Sequence, residues 1–155
     1  MILLKRAGLA ECNRIHEMQV IAFQELLDKY QDYETNPAME TVDLVRGRID
    51  QDHMDYYLIF AGDADIGAIR VVRLPDEVCR IAPVFILPGY QGRGYAKEVF
   101  CQIEQMYPQV KKWKLETIKE EPKLCGLYEA VGYRLTGREE IVKPGMTLVY
   151  YEKHL

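Results

Sequence analysis

Apolar residues in the first third of the chain recur at the spacing of an α-helix. Residues 9–27 carry an apolar stripe that includes Ile15, Met18, Ala22 and Leu26. Asn36 and Pro37 interrupt this pattern, and apolar positions resume over residues 42–50. The sequence therefore predicts a short strand at residues 2–4, then two helices separated by a loop.

The pattern changes to strands in the middle of the chain. Residues 56–61, 66–73 and 78–87 are rich in aromatic and β-branched side chains. Between them lie the turn-forming segments 62–65 and 74–77, which contain glycine, proline and aspartate. This arrangement predicts three consecutive antiparallel strands.

After Pro88 the chain alternates between helix and strand. One helix ends before Pro108 and carries the apolar stripe Ala96, Val99, Phe100, Ile103, Met106 and Tyr107. A short strand at residues 113–117 follows, then a helix from Pro122 to Gly132 and a hairpin formed by residues 133–141 and 146–151. A strand, a helix and a strand in succession imply a parallel pair. The predicted fold class is α/β, with a mixed, mostly antiparallel central sheet and helices on both faces.

Composition, net charge and cysteine spacing disfavour several classes of protein. The 155 residues are 48% hydrophobic and 28% charged, which predicts one globular domain over residues 1–155. The net charge of -4 disfavours nucleic acid as a partner. The absence of a long apolar run or a signal-like start predicts no membrane partner and a cytoplasmic location. Reduced thiols and no metal site are expected from the spacing of Cys12, Cys79, Cys101 and Cys125.

The candidate chemistry lies in the glycine-rich turn from Gln91 to Ala96, between a strand and an amphipathic helix. Gly92 and Gly94 would let a ligand approach the backbone, and a helix N-terminus supplies unpaired N–H donors. The turn therefore predicts an anion site suited to a diphosphate. A P-loop and a dinucleotide fingerprint are both excluded, because Lys97 is not followed by Ser or Thr and stands where a third glycine would be required.

Two motifs give this sequence a family resemblance. The segment from Gln91 to Ala96, QGRGYA, resembles the Q-x-x-G-x-A signature of the GNAT superfamily of N-acetyltransferases. Residues 127–133, LYEAVGY, resemble the second signature of that family, L-Y-x-x-x-G-[FY]. The order of the predicted elements is also similar to the family plan. The resemblance implies the GNAT acyltransferase fold, in which the parallel strand pair is splayed, and an acetyl-CoA-dependent acetyl transfer.

The resemblance also implies roles for individual residues. Backbone amides of the turn would hold the pyrophosphate of acetyl-CoA, a set comprising Gln91, Gly92, Arg93, Gly94, Tyr95 and Ala96. The pantetheine arm would pair with the strand backbone at Val84, Phe85 and Ile86. Tyr128 would lie beside the coenzyme sulfur as general acid, since a phenol is protonated at neutral pH. Periodicity alone also fits Tyr128 as a core residue and Arg93 as a solvated surface charge.

Two departures from the family pattern bear on the mechanism. Glu121 stands where family members often carry an Asn that contacts the coenzyme arm. Residues 78–87 contain no carboxylate, although many relatives place their general base on that strand. The base is therefore open between Glu77 at the strand entrance, a water chain and a carboxylate from the early helical region.

The loop between the first two predicted helices is the candidate acceptor site. In the family this region covers the acceptor cleft, and here it combines tyrosines with carboxylates: Tyr30, Asp32, Tyr33 and Glu34. The carboxylates would attract a cationic amine, and the rings would form apolar or cation-π walls. A polar loop with packed aromatic rings fits the same residues equally well.

The sequence as a whole predicts an N-acetyltransferase in which a primary amine attacks acetyl-CoA directly, with no covalent enzyme intermediate. The expected partner is a small-molecule or peptide amine, and homodimer formation is left open. Two alternatives remain: a non-catalytic acetyl-CoA-binding sensor, and an acetyltransferase of protein N-termini or lysines.

Overall fold

A seven-stranded sheet with helices on both faces forms the frame of the computed structural model, which describes residues 1–155. The strands are β1 (Ile2–Arg6), β2 (Met54–Ala61), β3 (Ala64–Leu74), β4 (Val78–Ile86), β5 (Lys112–Ile118), β6 (Arg134–Lys143) and β7 (Met146–His154). The helices are α1 (Cys12–Tyr30), α2 (Val42–Ile49), α3 (Tyr95–Met106) and α4 (Pro122–Ala130).

The strand order is β1-β2-β3-β4-β5-β7-β6. All neighbouring strands are antiparallel except β4 and β5, which are parallel and are connected through α3. The predicted fold class, a mixed and mostly antiparallel sheet with one parallel pair, is therefore confirmed.

Each face of the sheet has its own apolar core. On one face the core includes Val99 and Phe100 of α3 and Tyr128 of α4. On the other face Met18 of α1 and Val45 of α2 pack against the sheet. The two faces differ because alternate residues of each strand point to opposite sides.

Strands β4 and β5 pair over only three residues each. Residues 78–80 of β4 pair with residues 112–114 of β5, and beyond these positions the two strands are not paired with each other. Their outer neighbours continue to pair, since β3 follows β4 to Ile86 and β7 follows β5 to Ile118. We call the gap between residues 81–86 of β4 and residues 115–118 of β5 the strand opening. The predicted splay of the parallel pair is thus present.

A bulge in β4 lies beside the strand opening. Ile69 and Val71 of β3 pair with Val84 and Ile81 of β4, so that two residues of β4 lie opposite the single residue Arg70. Bulges bend a strand and change the direction of its backbone groups. The Nε atom of Arg70 donates a hydrogen bond to the carbonyl oxygen of Ala82 within this bulge, so Arg70 supports the distorted segment.

The end of β4 is packed tightly against β3. A Cβ atom at Gly67 would overlap the carbonyl oxygen of Phe85. The close approach therefore requires glycine at this position, and it determines how far β4 can lie from β3.

Helix α1 differs from its sequence-based prediction at both ends. Residues Leu9–Glu11 form a 3-10 turn, and α1 begins at Cys12. At the other end α1 continues beyond residue 27 to Tyr30, because Gln31 has a φ of 53° and closes the helix as a left-handed C-cap. This extension carries Lys29 and Tyr30 on the last helical turn.

The helices and the cysteines bear on two other classes of protein, those that span a membrane with helices and those held by disulfide bonds. No helix is both long enough and apolar enough to cross a membrane. All four cysteines are unpaired.

Replacing Gly67 with Ala tests whether this close approach positions β4. We expect Gly67→Ala to lower the free energy of unfolding by about 1–3 kcal/mol, because the new methyl group meets backbone that must shift. The matched control is Gly47→Ala in α2, where a Cβ atom meets nothing within 4 Å. That change should raise the free energy of unfolding by about 0.5–1 kcal/mol through helix propensity. Urea denaturation measures both, and equal effects would contradict the account.

Candidate active site

The glycine-rich turn follows β4 at the open end of the strand opening. After the 3-10 turn Pro88–Tyr90, Gly92 and Gly94 adopt φ angles of 78° and 81°, and α3 begins at Tyr95. Side chains other than glycine rarely adopt these angles. A Cβ atom at either glycine would meet nothing within 4 Å, so the surface of the turn is open to a ligand.

Six consecutive backbone N–H groups in this turn, from residue 92 to residue 97, have no acceptor within the chain. They belong to the turn and to the first residues of α3, a helix of 12 residues. The helix dipole adds a partial positive charge at the same place. A run of unpaired donors at a helix N-terminus binds anions such as phosphates, so the predicted anion site is consistent with the geometry.

The side chains of the turn support its shape. Gln91 Nε2 donates a hydrogen bond of 2.8 Å to the carbonyl oxygen of Ile86, which ties the turn to the end of β4. Arg93 Nη2 donates to the carbonyl oxygen of Gly89 at 3.2 Å, and its guanidinium lies 5.5 Å from the ring centre of Tyr90. Tyr95 and Ala96 are half-buried and pack against the core below α3. The backbone of the turn, rather than its side chains, is what faces a ligand.

The predicted pantetheine-binding residues lie along the β4 side of the strand opening. Val84 is half-buried and lies beyond the last residue that pairs with β5. Phe85 packs edge-on against Phe23 of α1, with ring centres 5.7 Å apart. Ile86 is buried, and its carbonyl oxygen already accepts the hydrogen bond from Gln91. The structure thus places these three residues along the strand opening, and the carbonyl group of Ile86 is already engaged.

Tyr128 combines a buried ring with a free hydroxyl group. Its ring is edge-on to Phe100 at 5.7 Å and lies 6.2 Å from the ring of Tyr151. Its hydroxyl group has no hydrogen-bond partner in the chain. Burial, with a smaller contribution from Cys125, raises the pKa of Tyr128 to about 12. The ring is a core element, and the protonated hydroxyl group is available to a ligand.

Glu121 joins the end of α1 to the region between β5 and α4. Its Oε2 atom accepts a hydrogen bond of 2.5 Å from the Tyr30 hydroxyl and lies 2.6 Å from Lys29 Nζ. Burial alone would raise the pKa of Glu121, but the hydrogen bonds from Lys29 and Tyr30 outweigh it and the pKa is lowered. The residue that replaces the family Asn is therefore bonded to the helix that covers the strand opening.

The other three residues of the predicted acceptor loop lie differently. Asp32 is buried and accepts hydrogen bonds from the Thr35 hydroxyl, from Thr35 N at 3.1 Å and from Glu34 N at 3.3 Å. These bonds close a local turn and occupy the carboxylate. Tyr33 is 59% exposed, and Glu34 is exposed as well. Of the four predicted residues, only Tyr30 contacts the segment that follows β5, through its hydrogen bond to Glu121.

Glu77 lies at the opposite end of β4 from the glycine-rich turn. It has a φ of 61° and forms an ion pair of 3.3 Å with Lys111, which precedes β5. This is the end at which β4 and β5 are paired. The structure therefore does not bring Glu77 to the strand opening.

Sequence reasoning missed a carboxylate on β5. Glu116 lies within the strand opening and forms a bidentate ion pair with Arg80 of β4, in which the Nε–Oε2 distance is 3.2 Å. Leu115 packs into the core below α3, so Glu116 points to the face that carries α1 and α2. The alternation of Lys112, Lys114 and Glu116 with apolar residues was the available signal.

Metal-ligating side chains do not converge anywhere in the structure. No group of three or more His, Cys, Asp or Glu side chains has the arrangement of a metal site. The site described above consists of backbone donors, a phenol and ion pairs.

The Glu121 contacts predict a pH dependence of stability. Because the pKa of Glu121 is lower in the folded protein, its contacts stabilise the fold above the ordinary pKa of 4.5 and are lost as the pH falls through the folded value. We expect Glu121→Gln to be less stable than the wild type at pH 6–7 and the difference to shrink towards pH 3. The control is Glu25→Gln on α1, which removes an exposed carboxylate without an ion-pair partner. Urea midpoints across this range measure the difference, and a constant gap for Glu121→Gln would contradict the account.

Comparisons with known proteins agree with the geometry. The model of the GNAT acetyltransferase domain family matches residues 24–155. No curated protein matches this sequence.

Solved structures of acetyltransferases share the fold. Spermidine N-acetyltransferase from Vibrio cholerae in complex with CoA and spermine has a TM-score of 0.77 and 18% identity, over 99% of this chain and 95% of that chain. The ribosomal-protein-S18-alanine N-acetyltransferase from Escherichia coli has a TM-score of 0.79 and 9% identity, over 99% and 94% of the two chains. An acetyltransferase from Bacillus anthracis in complex with acetyl coenzyme A has a TM-score of 0.72 and 16% identity, over 100% and 99%.

At these identities the structural likeness shows the fold, while the family model shows the relationship. In this structure β4 and β5 separate ahead of the glycine-rich turn, and Tyr128 lies on α4. The chain belongs to the GNAT acetyltransferase family.

Proposed function

We propose that this protein transfers the acetyl group of acetyl-CoA to a primary amine by direct attack. The observation that carries the proposal is the run of six unpaired N–H groups at residues 92–97, placed at the open end of the strand opening. A neighbour in fold contains acetyl coenzyme A and another contains CoA and spermine. The cytoplasmic location predicted from the sequence belongs to the same proposal.

The strand opening and the turn suit a long, anionic coenzyme. The amides of residues 92–97 would hold its pyrophosphate, and the open space at Gly92 and Gly94 leaves room for it. The unpaired edge of β4 offers backbone groups to the pantetheine arm. Acetyl-CoA supplies the acetyl group as an activated thioester.

Tyr128 would act on the leaving sulfur. With a pKa of about 12 the phenol is fully protonated at neutral pH, and it is a weaker acid than an ordinary thiol, whose pKa is about 8.5. Complete proton transfer to the thiolate is therefore uphill. The contribution that we expect from Tyr128 is a hydrogen bond that stabilises the negative charge developing on sulfur.

Glu116 is the carboxylate best placed to accept the proton of the amine. It lies in the strand opening on the face that carries α1 and α2, whereas Glu77 lies at the paired end of the two strands. Its side chain is 22% exposed, and although both oxygens accept hydrogen bonds from Arg80, each keeps a second lone pair that can accept a proton. We therefore prefer Glu116 to Glu77 as the general base.

Tyr128→Phe tests the role of the phenol. We expect kcat to fall by about 10²-fold or less, because one hydrogen bond to the developing thiolate is removed, while the Kd for acetyl-CoA changes little. The matched control is Tyr133→Phe, since Tyr133 is another buried tyrosine whose hydroxyl group lacks a partner. Steady-state kinetics and calorimetry measure the two constants. An unchanged kcat in Tyr128→Phe would remove Tyr128 from the mechanism.

Glu116→Gln tests the assignment of the base. At pH 7 we expect kcat/KM to fall by about 10²–10⁴-fold, because the amine must then lose its proton without help. The loss should shrink as the pH rises towards the pKa of the amine, where the free amine predominates.

Glu77→Gln separates this assignment from the alternative base. It should retain wild-type kcat/KM at every pH, because Glu77 lies outside the strand opening. A large loss in Glu77→Gln together with normal activity in Glu116→Gln would reverse the assignment.

A further inference from the structure

Arg70 is a buried cation without a carboxylate partner. It lies in the middle of β3 and is 6% exposed. Its Nε atom donates to the carbonyl oxygen of Ala82, and its Nη1 atom lies 3.6 Å from the sulfur of Met54. Its Nη2 atom has no partner in the chain. Buried arginines are normally paired with an anion, because removing the charge from water is costly.

The neighbouring charges do not compensate Arg70. Arg48 forms a bidentate ion pair with Glu40, at 2.7 and 3.0 Å, and Arg80 forms its bidentate pair with Glu116. Both carboxylates are thus already matched by a guanidinium group of their own. Burial, together with the positive charges of Arg48 and Arg80, lowers the pKa of Arg70 to about 10, while Tyr56 and Glu40 oppose this shift; the group stays charged at neutral pH. The cluster therefore holds one positive charge in excess.

A second buried group beside Arg70 also lacks a partner. Tyr56 pairs with Arg70 across β2 and β3 and is 1% exposed. Its hydroxyl group has no partner with hydrogen-bond geometry, although the Arg48 guanidinium lies near it. Burial raises the pKa of Tyr56, and the positive charges of Arg70 and Arg48 oppose this shift. A guanidinium fork and a hydroxyl group side by side are both donors. An oxyanion would accept hydrogen bonds from both, and a planar carboxylate matches the guanidinium geometry.

Arg70 and Tyr56 lie close to the strand opening. Arg70, Arg80 and Glu116 lie on the successive strands β3, β4 and β5 and point to the same face of the sheet. The bulge at Ala82, which Arg70 contacts, lies beside the strand opening. The unpartnered Nη2 atom of Arg70 is not fully buried, whereas the Tyr56 hydroxyl is, and the neighbouring Arg80 side chain is 37% exposed. On this face β3 and β4 carry Arg70 and Arg80, and Glu116 is the carboxylate of β5.

We propose that the acceptor carries a carboxylate close to its primary amine, as an amino acid does, and that Arg70 and Tyr56 bind this carboxylate. The amine then lies towards Glu116, above the strand opening. This inference rests on the proposed acetyl transfer and adds the class of acceptor to it. It assigns recognition of the acceptor to the sheet rather than to the acidic loop around Asp32.

The first test compares matched acceptors. Glycine, leucine, phenylalanine and glutamate are assayed against their amides, with 2-aminoethyl phosphate as a further oxyanion-bearing amine, and the acetylated product is measured. We expect kcat/KM to be at least about tenfold higher for the acids than for the amides. The amides have less basic amines, so they would react faster if nothing bound the carboxylate. Equal or faster reaction of the amides, or a preference for 2-aminoethyl phosphate, would overturn the inference.

The second test uses variants that separate recognition from folding. Tyr56→Phe removes a hydroxyl group without a partner, so the fold should be retained, and the preference for acids should fall about three- to tenfold through KM. Tyr133→Phe removes a similar hydroxyl group on the other face of the sheet and should leave the preference unchanged. Arg70→Lys keeps the charge but not the fork and should weaken the preference further. A preference unchanged in both Tyr56→Phe and Arg70→Lys would contradict the proposal.

A binding measurement distinguishes failure of this inference from failure of the proposed function. N-acetyl amino acids and their amides cannot react further, and calorimetry measures their affinity with CoA present and absent. Transfer to amines without a preference for acids overturns only the carboxylate site. Tighter binding of the N-acetyl acids without any transfer supports the carboxylate site and overturns the proposed function. Absence of any preference in both transfer and binding overturns the inference.

Discussion

The separation of two parallel strands is the constraint on which the rest of the structure depends. Three residue pairs join β4 to β5, and the remaining residues of both strands leave backbone groups unpaired along the gap. Backbone groups that are neither paired nor solvated are costly in a folded protein. The fold maintains this gap because each strand is held by its other neighbour, β4 by β3 and β5 by β7. Gly67 fixes the approach of β3 to β4, and Arg70 supports the bulge beside the gap.

The same separation brings the chemical groups together. Both strands end at the open side of the gap, so the turn into α3 and the start of α4 lie there. That topology places three features at the same end of the sheet: the unpaired amides of the turn, the hydroxyl group of Tyr128 and the hydrogen bond between Glu121 and Tyr30 of α1. The ion pair of Arg80 with Glu116 spans the two strands near the point at which they separate. A net charge of -4 is compatible with the proposed site for an anionic coenzyme, because its donors are backbone groups.

The fold was largely predictable because it depends on local patterns. Periodicity and punctuation by glycine and proline located every helix and strand, and two short motifs located the turn and Tyr128. The contacts between distant segments were not predictable in the same way. Glu121 contacts Lys29, which lies 92 positions earlier in the chain, and no local sequence pattern predicts such a contact.

The surroundings of individual acidic residues were also not predictable from local sequence patterns. Sequence proximity to β4 suggested Glu77, but only the register shows which end of the strand pair is open. Asp32 looked available to a ligand, yet the backbone and hydroxyl of its own loop occupy it. Arg70, a charge within an apolar strand, was a visible signal, but its lack of a carboxylate partner emerges only when β2, β3 and β4 are side by side.

The most direct test of the central claim, that the unpaired amides beside the strand opening hold the coenzyme, is a titration of the ¹⁵N-labelled protein with CoA, followed by NMR. The account predicts that the amide resonances of residues 92–97 shift furthest and saturate together, with the backbone amide of Tyr128 responding at the same concentrations. Saturable binding of CoA that leaves these six amides unchanged would contradict it.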